Sequence, residues 1–327
     1  MSFHTMNYAS HVMGYVDMNR NLYKTRLSPA LAVPPSSILL RADESGKSAE
    51  SKKGPGSNAP SKSSDSTVSL PSQANTVGII GGVSVVSTLN FLRKLVKWSS
   101  KDGESSLPFI LHSDSVLYKE FLSHESSFPS LRSKRECTHS DPTTIVENLR
   151  SKRAFLENSG ARCIVMPCNI SHSWHGEVSK GCSVPFLHMG ESVARELKEA
   201  KLKPLEAGSH LRIGVLATNA TLASGFYQEK LQNEGFEVVL PDTATMEHTV
   251  IPAIEALNRK DMEGARNLLR IALQVLLVRA VNSVILASDD MLDLLPRDDP
   301  LLKKCIDPMD SLARSTIKWA QSAEKGT

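Results

Sequence analysis

Short apolar runs alternate with amphipathic helical stretches along the chain from Thr76 onward. Runs of about 4–8 aliphatic or β-branched residues, bounded by polar or turn residues, are typical of buried parallel strands. The first of them ends in the glycine pair Gly81-Gly82, and another ends at Pro167. The pattern predicts strands at residues 77–80, 108–111, 163–166, 184–187, 212–217, 236–240 and 283–287, and a short run at 305–307.

Apolar residues recur at helical spacing between these runs. After the first strand, for example, they are Leu89, Leu92, Leu95 and Val96. Strands that alternate with helices indicate parallel, doubly wound sheets. The rhythm starts again near Leu211, so we expect an α/β fold of two such sheets whose strand ends face one another across a cleft. Further helices are predicted after residue 142 and over residues 191–200, 218–227, 244–257, 262–281 (buried) and 309–320.

The first 75 residues differ from the rest. Residues 1–41 contain one acidic residue, Asp17, against four Lys or Arg, with scattered hydroxyl side chains. This composition is typical of an organelle transit peptide, although a disordered tail is the alternative. Residues 42–75 are mostly Ser, Lys, Gly, Pro and Ala and are predicted to be a disordered linker. We expect a plastid location, with mitochondrion or cytoplasm as alternatives.

Composition and charge exclude several classes of function. The chain has 327 residues and a net charge of +3, and the excess of positive charge lies before residue 77. The remaining residues hold thirty Lys or Arg and thirty Asp or Glu, so a nucleic-acid partner is not expected. No apolar run approaches the roughly 18–20 residues that span a bilayer, so no membrane partner is expected either. The five cysteines indicate free thiols in a reducing compartment.

Cys168 follows the apolar run Cys163-Ile164-Val165-Met166 and Pro167. In open α/β sheets, ligands bind beyond the carboxyl ends of the strands, so this thiol lies where chemistry is expected. A zinc site is an alternative use of the same region, with ligands drawn from Cys163, Cys168, His172, His175 and Cys182. Its C-x4-C-x3-H spacing is loose, and a structural zinc ion needs four ligands that converge on one point. No metal is therefore predicted.

Four motifs together carry a resemblance to a known family. They are MPCNISH, which contains Cys168, then GVLATNATLASGFY, VILASDD and CIDP, in that order. The sequence resembles the aspartate/glutamate racemase family, whose members work without pyridoxal phosphate, and no cofactor is expected. The resemblance implies two α/β lobes related by a pseudo-twofold axis, with the last helix packed on the first lobe. It therefore predicts a first lobe of residues 76–188 plus 306–327 and a second lobe of residues 189–305, after the leader and linker at 1–75.

The resemblance also implies roles for particular residues. Family members move a proton between the two faces of Cα with two cysteines, one from each lobe. Cys168 matches the first, and a thiol suits this chemistry because thiol and thiolate can coexist near neutral pH. Ser288 stands where the second cysteine is expected. The predicted substrate-binding residues are Asn169, Thr218 and Thr221, with helix N-termini favouring an anion, and Asp289, which stands where the family has a threonine.

Two hypotheses follow from these residues. The first is an isomerase that acts at Cα of a small acidic amino acid, of aspartate or glutamate type, by thiol-based proton transfer. Ser288 is a much weaker acid than a thiol, so one-cysteine chemistry on an amino acid or another carboxylic acid is an alternative form of this hypothesis. The second is a catalytically weakened family member that binds an acidic metabolite or a partner. The family is often dimeric, so a homodimer is the expected assembly.

Overall fold

The chain folds into parallel sheets covered by helices, as the sequence predicts. The computed structural model describes four stretches of the chain, and the predicted leader and linker lie outside them except at their last three residues. The described residues are 73–99, 107–114, 142–205 and 208–325, apart from the side chains of Asp289 and Asp290.

The first sheet has three parallel strands in the order β2-β1-β3. Its central strand is wholly buried, which agrees with its continuous apolar sequence. A helix lies between successive strands along the chain, as the crossover connections of parallel strands require. The elements are β1 (Val77–Ile80), α1 (Val85–Ser99), β2 (Phe109–His112), α2 (Thr143–Asn158), β3 (Cys163–Val165), a 3₁₀ helix (Ile170–Trp174) and α3 (His175–Ser179).

The second sheet has four parallel strands in the order β5-β4-β6-β7. Helix α4 (Met189–Glu199) joins the two sheets. The strands are β4 (Arg212–Ala217), β5 (Glu237–Val239), β6 (Ser283–Ala287) and β7 (Cys305–Ile306). The helices are α5 (Asn219–Ser224), α6 (Phe226–Asn233), α7 (Thr243–Thr245), a π-helix (Met246–Val250), α8 (Ile251–Asn258), α9 (Met262–Leu277), α10 (Asp289–Leu292), a 3₁₀ helix (Pro300–Lys304) and α11 (Pro308–Lys325).

The strand predicted at residues 184–187 does not form. A single parallel bridge joins Phe186 to Ile164 at the edge of the first sheet. The Ile164 N–H donates to the Pro185 carbonyl at 2.8 Å, and the Leu187 N–H donates to the Ile164 carbonyl at 2.9 Å. Because Pro185 has no N–H, the segment cannot extend this ladder.

Two helices bury only part of the surface that the sequence suggests. Leu89 and Val96 of α1 are 57% and 54% exposed, although they lie at helical spacing. Leu95 of the predicted stripe is buried, together with Phe91 outside it, and both belong to the same apolar cluster as residues of α11. Helix α9 is predicted to be buried, but it buries one face only, and Ile271 on its other face is 46% exposed.

One apolar cluster contains residues of both sheets. It includes Val77 and Ile79 from β1, Ile213 from β4 and Ile285 from β6. Leu312 of α11 belongs to it as well and is fully buried. The division into two lobes at residues 188 and 305 remains a prediction. In the part of the chain that the structure describes, no helix is long and apolar enough to cross a membrane.

Candidate active site

Cys168 lies just beyond the carboxyl end of β3, as the sequence predicts. Its residue is 9% exposed and packs in an apolar cluster with Met166, Trp174 and Ala220. Ala220 belongs to α5, which follows a strand of the second sheet. The thiol is therefore enclosed by side chains that follow strands of both sheets.

Asn169 is held by a residue that follows the second sheet. The buried Tyr227 hydroxyl donates a hydrogen bond to Asn169 Oδ1 at 2.7 Å. A charge-neutral bond of this kind, closed off from water, fixes which way the amide points. The sequence motif contains Tyr227, but nothing in its spacing assigns it to Asn169, so this contact was missed by sequence reasoning.

Thr218 and Thr221 lie at the carboxyl end of β4, where Thr218 caps the short helix α5. The Thr218 hydroxyl oxygen accepts from the Thr221 N–H at 3.4 Å and lies 3.3 Å from the Thr221 hydroxyl. This cap occupies the Thr221 N–H, one of the amides at this helix N-terminus, and α5 has only six residues. The structure therefore places both hydroxyls at the predicted strand end but does not make α5 a strong anion-binding helix end.

Ser288 lies beside Thr218 at the same edge of the second sheet. The preceding residues, Ala217 and Ala287, are paired partners in the β4–β6 ladder. Ser288 is 6% exposed, with extended backbone, and its side chain makes no capping hydrogen bond to α10. Asp289 is the first residue of α10, and its side chain lies outside the described part of the structure.

Three histidines pack together behind the Cys168 motif. The His172 ring centroid is 4.8 Å from that of His188 and 5.8 Å from that of His175. His175 is half-buried against Phe186, with 4.6 Å between the ring centroids. The His172 ring bonds to the backbone, with its Nε2 2.9 Å from the Met166 carbonyl oxygen. These histidines therefore form part of the interior beneath the site.

Burial keeps these imidazoles neutral. It lowers the pKa of His172 from 6.5 to about 3, with His175 contributing. Burial also lowers the pKa values of His175 and His188. Among the described residues, no group of three or more His, Cys, Asp or Glu is arranged to hold a metal ion. The zinc alternative therefore gains no support from this cluster.

Two other thiols are poor candidates for a base. Burial raises the pKa of Cys163 from 9.0 to about 12, and Cys182 contributes to this rise. Burial raises the pKa of Cys305 to about 12 as well, with Asp299 contributing. Both side chains remain protonated near neutral pH, because a thiol loses its proton only near its pKa.

A cavity of about 470 Å³ lies between α1, α11 and the segment that leads from α10 to β7. Its wall includes Arg93, Asp293 and Arg297, whereas Cys168 and Ser288 do not line it. Lys94 forms ion pairs with Asp307 and Asp310, and all three residues line the cavity. The cavity is therefore a separate feature from the predicted site.

The sequence profile of Asp/Glu/hydantoin racemases matches residues 80–316. This match covers every predicted site residue and both sheets, apart from the first three residues of β1. The chain belongs to the Asp/Glu/hydantoin racemase family. Cys168 and Ser288, the predicted proton carriers of this racemase-family chain, lie at the carboxyl edges of the two sheets.

Individual relatives are distant in sequence. The broad specificity amino-acid racemase RacX of Bacillus subtilis is 26% identical over 166 residues, which are 51% of this chain and 64% of that protein. The chain thus spans less than two thirds of that relative. A glutamate racemase of Aquifex aeolicus is 35% identical over 98 residues, which are 29% of this chain and 35% of the relative.

Solved structures support the same fold. An aspartate racemase homologue from Pyrococcus horikoshii superimposes with a TM-score of 0.60 at 21% identity, covering 76% of this chain and 99% of that one. The aspartate racemase of Picrophilus torridus gives a TM-score of 0.55 at 26% identity, covering 75% of this chain and 94% of that one. The arrangement of parallel sheets is therefore the racemase-family fold.

Proposed function

We propose that the protein is an amino-acid racemase-like isomerase that acts at Cα of a small acidic amino acid, of aspartate or glutamate type. The observation that carries this proposal is the position of Cys168-Asn169 just beyond β3 in a chain of the racemase family. The reaction uses thiol chemistry and no pyridoxal phosphate. The name of RacX, a broad specificity amino-acid racemase, supports amino acids as the substrate class.

In the proposed reaction, the Cys168 thiolate removes the Cα proton and becomes a thiol. The electron pair left on Cα is delocalised into the substrate carboxylate. A second group then donates a proton to the opposite face of Cα, which inverts the stereocentre. The hydroxyls of Thr218 and Thr221 lie at the strand end opposite, where they are suited to contact the substrate carboxylate.

The second proton carrier is Ser288 in this proposal, aided by Asp289 directly or through water. Ser288 is buried, and a hydroxyl gives up its proton far less readily than a thiol. The weak acidity of the Ser288 hydroxyl favours a second candidate function, in which Cys168 exchanges the proton of one enantiomer without inversion. A member that binds an acidic metabolite and turns nothing over is the limiting case.

Proton exchange in D2O tests the proposal. The full chain is incubated separately with D- and L-aspartate, glutamate and neutral amino acids, and Cα deuterium is followed by NMR together with chiral chromatography. Exchange with inversion supports racemisation, and exchange of one enantiomer without inversion supports the one-cysteine reaction. Absence of exchange across the panel would falsify both reactions.

Three variants assign the groups. Cys168→Ala should abolish exchange, whereas Cys163→Ala should retain it, because the Cys163 thiol is held protonated. Ser288→Cys should increase inversion at least tenfold relative to exchange, because it supplies a second thiol. A Ser288→Cys variant that exchanges as the wild type does, with no gain in inversion, would contradict the role given to Ser288.

A further inference from the structure

A buried lysine lies on the apolar face of α2. Ile145, Leu149 and Leu156 form the buried stripe of this helix, and Lys152 occupies the position in the stripe where another apolar residue is expected. Its side chain is only 2% exposed. Burial of an ammonium group is unfavourable by several kcal/mol unless it is paired. The groups that Lys152 contacts must therefore compensate for its burial.

Those partners lie at the carboxyl ends of two strands. Lys152 Nζ is 2.9 Å from Asp114 Oδ1, in the loop after β2, and donates to the Gly81 carbonyl, after β1, at 3.3 Å. The Asp114 side chain remains 34% exposed. The Asp114 carboxylate is thus the solvent-facing partner of this ion pair, and the buried Lys152 holds it in position.

The backbone around Asp114 is fixed as well. Gly82 has φ +92°, and a Cβ built on it would lie 1.9 Å from the Asp114 carbonyl oxygen. Only glycine allows this contact, so the turn after β1 lies directly against the loop after β2. Asp114 consequently has little freedom to move away from the strand ends.

Asp114 and Cys168 follow the two strands that flank β1. Leu111 and Val165 pair with the same residue of the central strand. Asp114 and Cys168 each follow three residues after this paired level, so both come after the carboxyl ends of the strands that flank β1. Two strand spacings, about 10 Å, separate the strands that they follow. A small amino acid spans such a gap when it forms a hydrogen bond to Asp114 at one end and contacts the Cys168 sulfur at the other.

We propose that Asp114 binds the ammonium group of an α-amino acid and that Lys152 is the positioning residue that holds Asp114 there. This assignment rests on the proposed function and deepens it, because it makes the ammonium group a requirement for binding. A carboxylate oxygen accepts strong, charge-assisted hydrogen bonds from an ammonium group. A carboxylic acid without the ammonium group makes no such bond and is therefore disfavoured as a substrate.

The test compares ligands that differ only in the ammonium group. Binding of L-aspartate and succinate, and of L-glutamate and glutarate, is measured by NMR for the wild type and for Asp114→Asn, together with KM and kcat for Cα exchange. We expect Asp114→Asn to raise Kd and KM for the amino acids at least tenfold, the loss of one charge-assisted hydrogen bond. The Kd values of succinate and glutarate should change less than twofold.

Two further variants separate binding from structure. Lys152→Met should weaken amino-acid binding in the same selective way, because Asp114 loses the group that holds it. Asp310→Asn is the matched control, since it also removes a lysine-paired carboxylate but lies away from Cys168, and it should leave selectivity unchanged. Circular dichroism establishes that each variant is folded.

The possible results distinguish this inference from the proposed function. If the wild type exchanges Cα protons and Asp114→Asn affects amino acids and their deaminated analogues equally, the ion pair is structural and the inference is wrong. If the wild type binds amino acids without exchange and Asp114→Asn abolishes that binding selectively, the isomerase proposal fails and the role of Asp114 stands. Binding of neither ligand class would overturn both.

Discussion

At the scale of single residues, the site depends on polar groups that are paired in the interior. Tyr227 fixes Asn169, and Lys152 holds Asp114. Each contact satisfies a group whose burial would otherwise be unfavourable, since a buried polar group without a partner costs about 1–3 kcal/mol. The position of a buried polar group is therefore set by its partner, and the same pairing gives the site its geometry.

The neutral histidines make stability depend on pH. Above about pH 6.5 they are neutral in both the folded and the unfolded chain. Below that value the unfolded chain takes up protons that the folded cluster does not bind, so the free energy of unfolding falls as the pH falls toward the lowered pKa values. At pH 5.5 His172 alone should lower the free energy of unfolding by about 1 kcal/mol.

His188→Asn tests this account by urea unfolding at pH 7.5 and 5.5. The His188 ring nitrogen accepts the Gly190 N–H at 3.0 Å and caps α4, and asparagine also caps helices well. The variant should keep the cap, remove one titrating group and lose less stability than the wild type between the two pH values. His248→Asn, an exposed position, is the control. Equal losses in the wild type and His188→Asn would contradict the account.

At the scale of the elements, turns after the strands decide where the site residues lie. The structure breaks the predicted helix at residues 218–227 into two at Gly225, which has φ +72°. The turn after β1 also needs a glycine with positive φ, but there the backbone of a neighbouring loop lies against it. These two glycines therefore have different local surroundings despite similar backbone conformations.

Substitution of the two glycines should separate strain from collision. A Cβ on Gly225 meets nothing within 4 Å, so Gly225→Ala should lower stability by about 1–2 kcal/mol through backbone strain alone. Gly82→Ala adds a collision with the Asp114 backbone and should lower stability further and reduce Cα exchange at least tenfold. Unfolding and exchange assays on both variants give this comparison. Equal effects would mean that the turn after β1 tolerates displacement.

At the scale of the whole molecule, the C-terminal helix α11 contributes to a core that contains residues of both sheets. The salt bridge between Arg314 and Glu196 joins α11 to α4 at 2.5 Å, and the Arg314 guanidinium carbon lies 4.9 Å from the centroid of the Trp98 ring on α1. Partly exposed ion pairs add little by themselves. The apolar contacts beneath them supply most of the stabilisation.

Leu312→Ala tests the role of this shared core. Leu312 is fully buried, so the variant should lose about 2–5 kcal/mol of unfolding free energy. Because the cluster contains residues of both sheets, far-UV and near-UV circular dichroism should report one shared unfolding transition. Val278→Ala, at an 83% exposed position, should stay within about 0.5 kcal/mol of the wild type. Two separate transitions for Leu312→Ala would show that the sheets unfold independently.

The sequence by itself determined the parallel α/β class, six of the seven predicted strands and the places of Cys168, Thr218 and Ser288 at strand ends. These features follow from local periodicity and from the rule that parallel strands share one carboxyl edge. The family resemblance added the racemase family, which the match over residues 80–316 confirmed. The transit peptide, the plastid location and the homodimer stay predictions.

Only the tertiary structure decided which polar residues meet. Tyr227 and Asn169 lie 58 positions apart, and Lys152 lies 71 positions from Gly81. Periodicity shows that Lys152 interrupts an apolar stripe, but it does not show which carboxylate satisfies it. It also could not show that Pro185 would stop a strand from forming at the edge of the first sheet. Such partners are fixed by how the elements pack, because burial forces each polar group to bond to whatever the fold brings beside it.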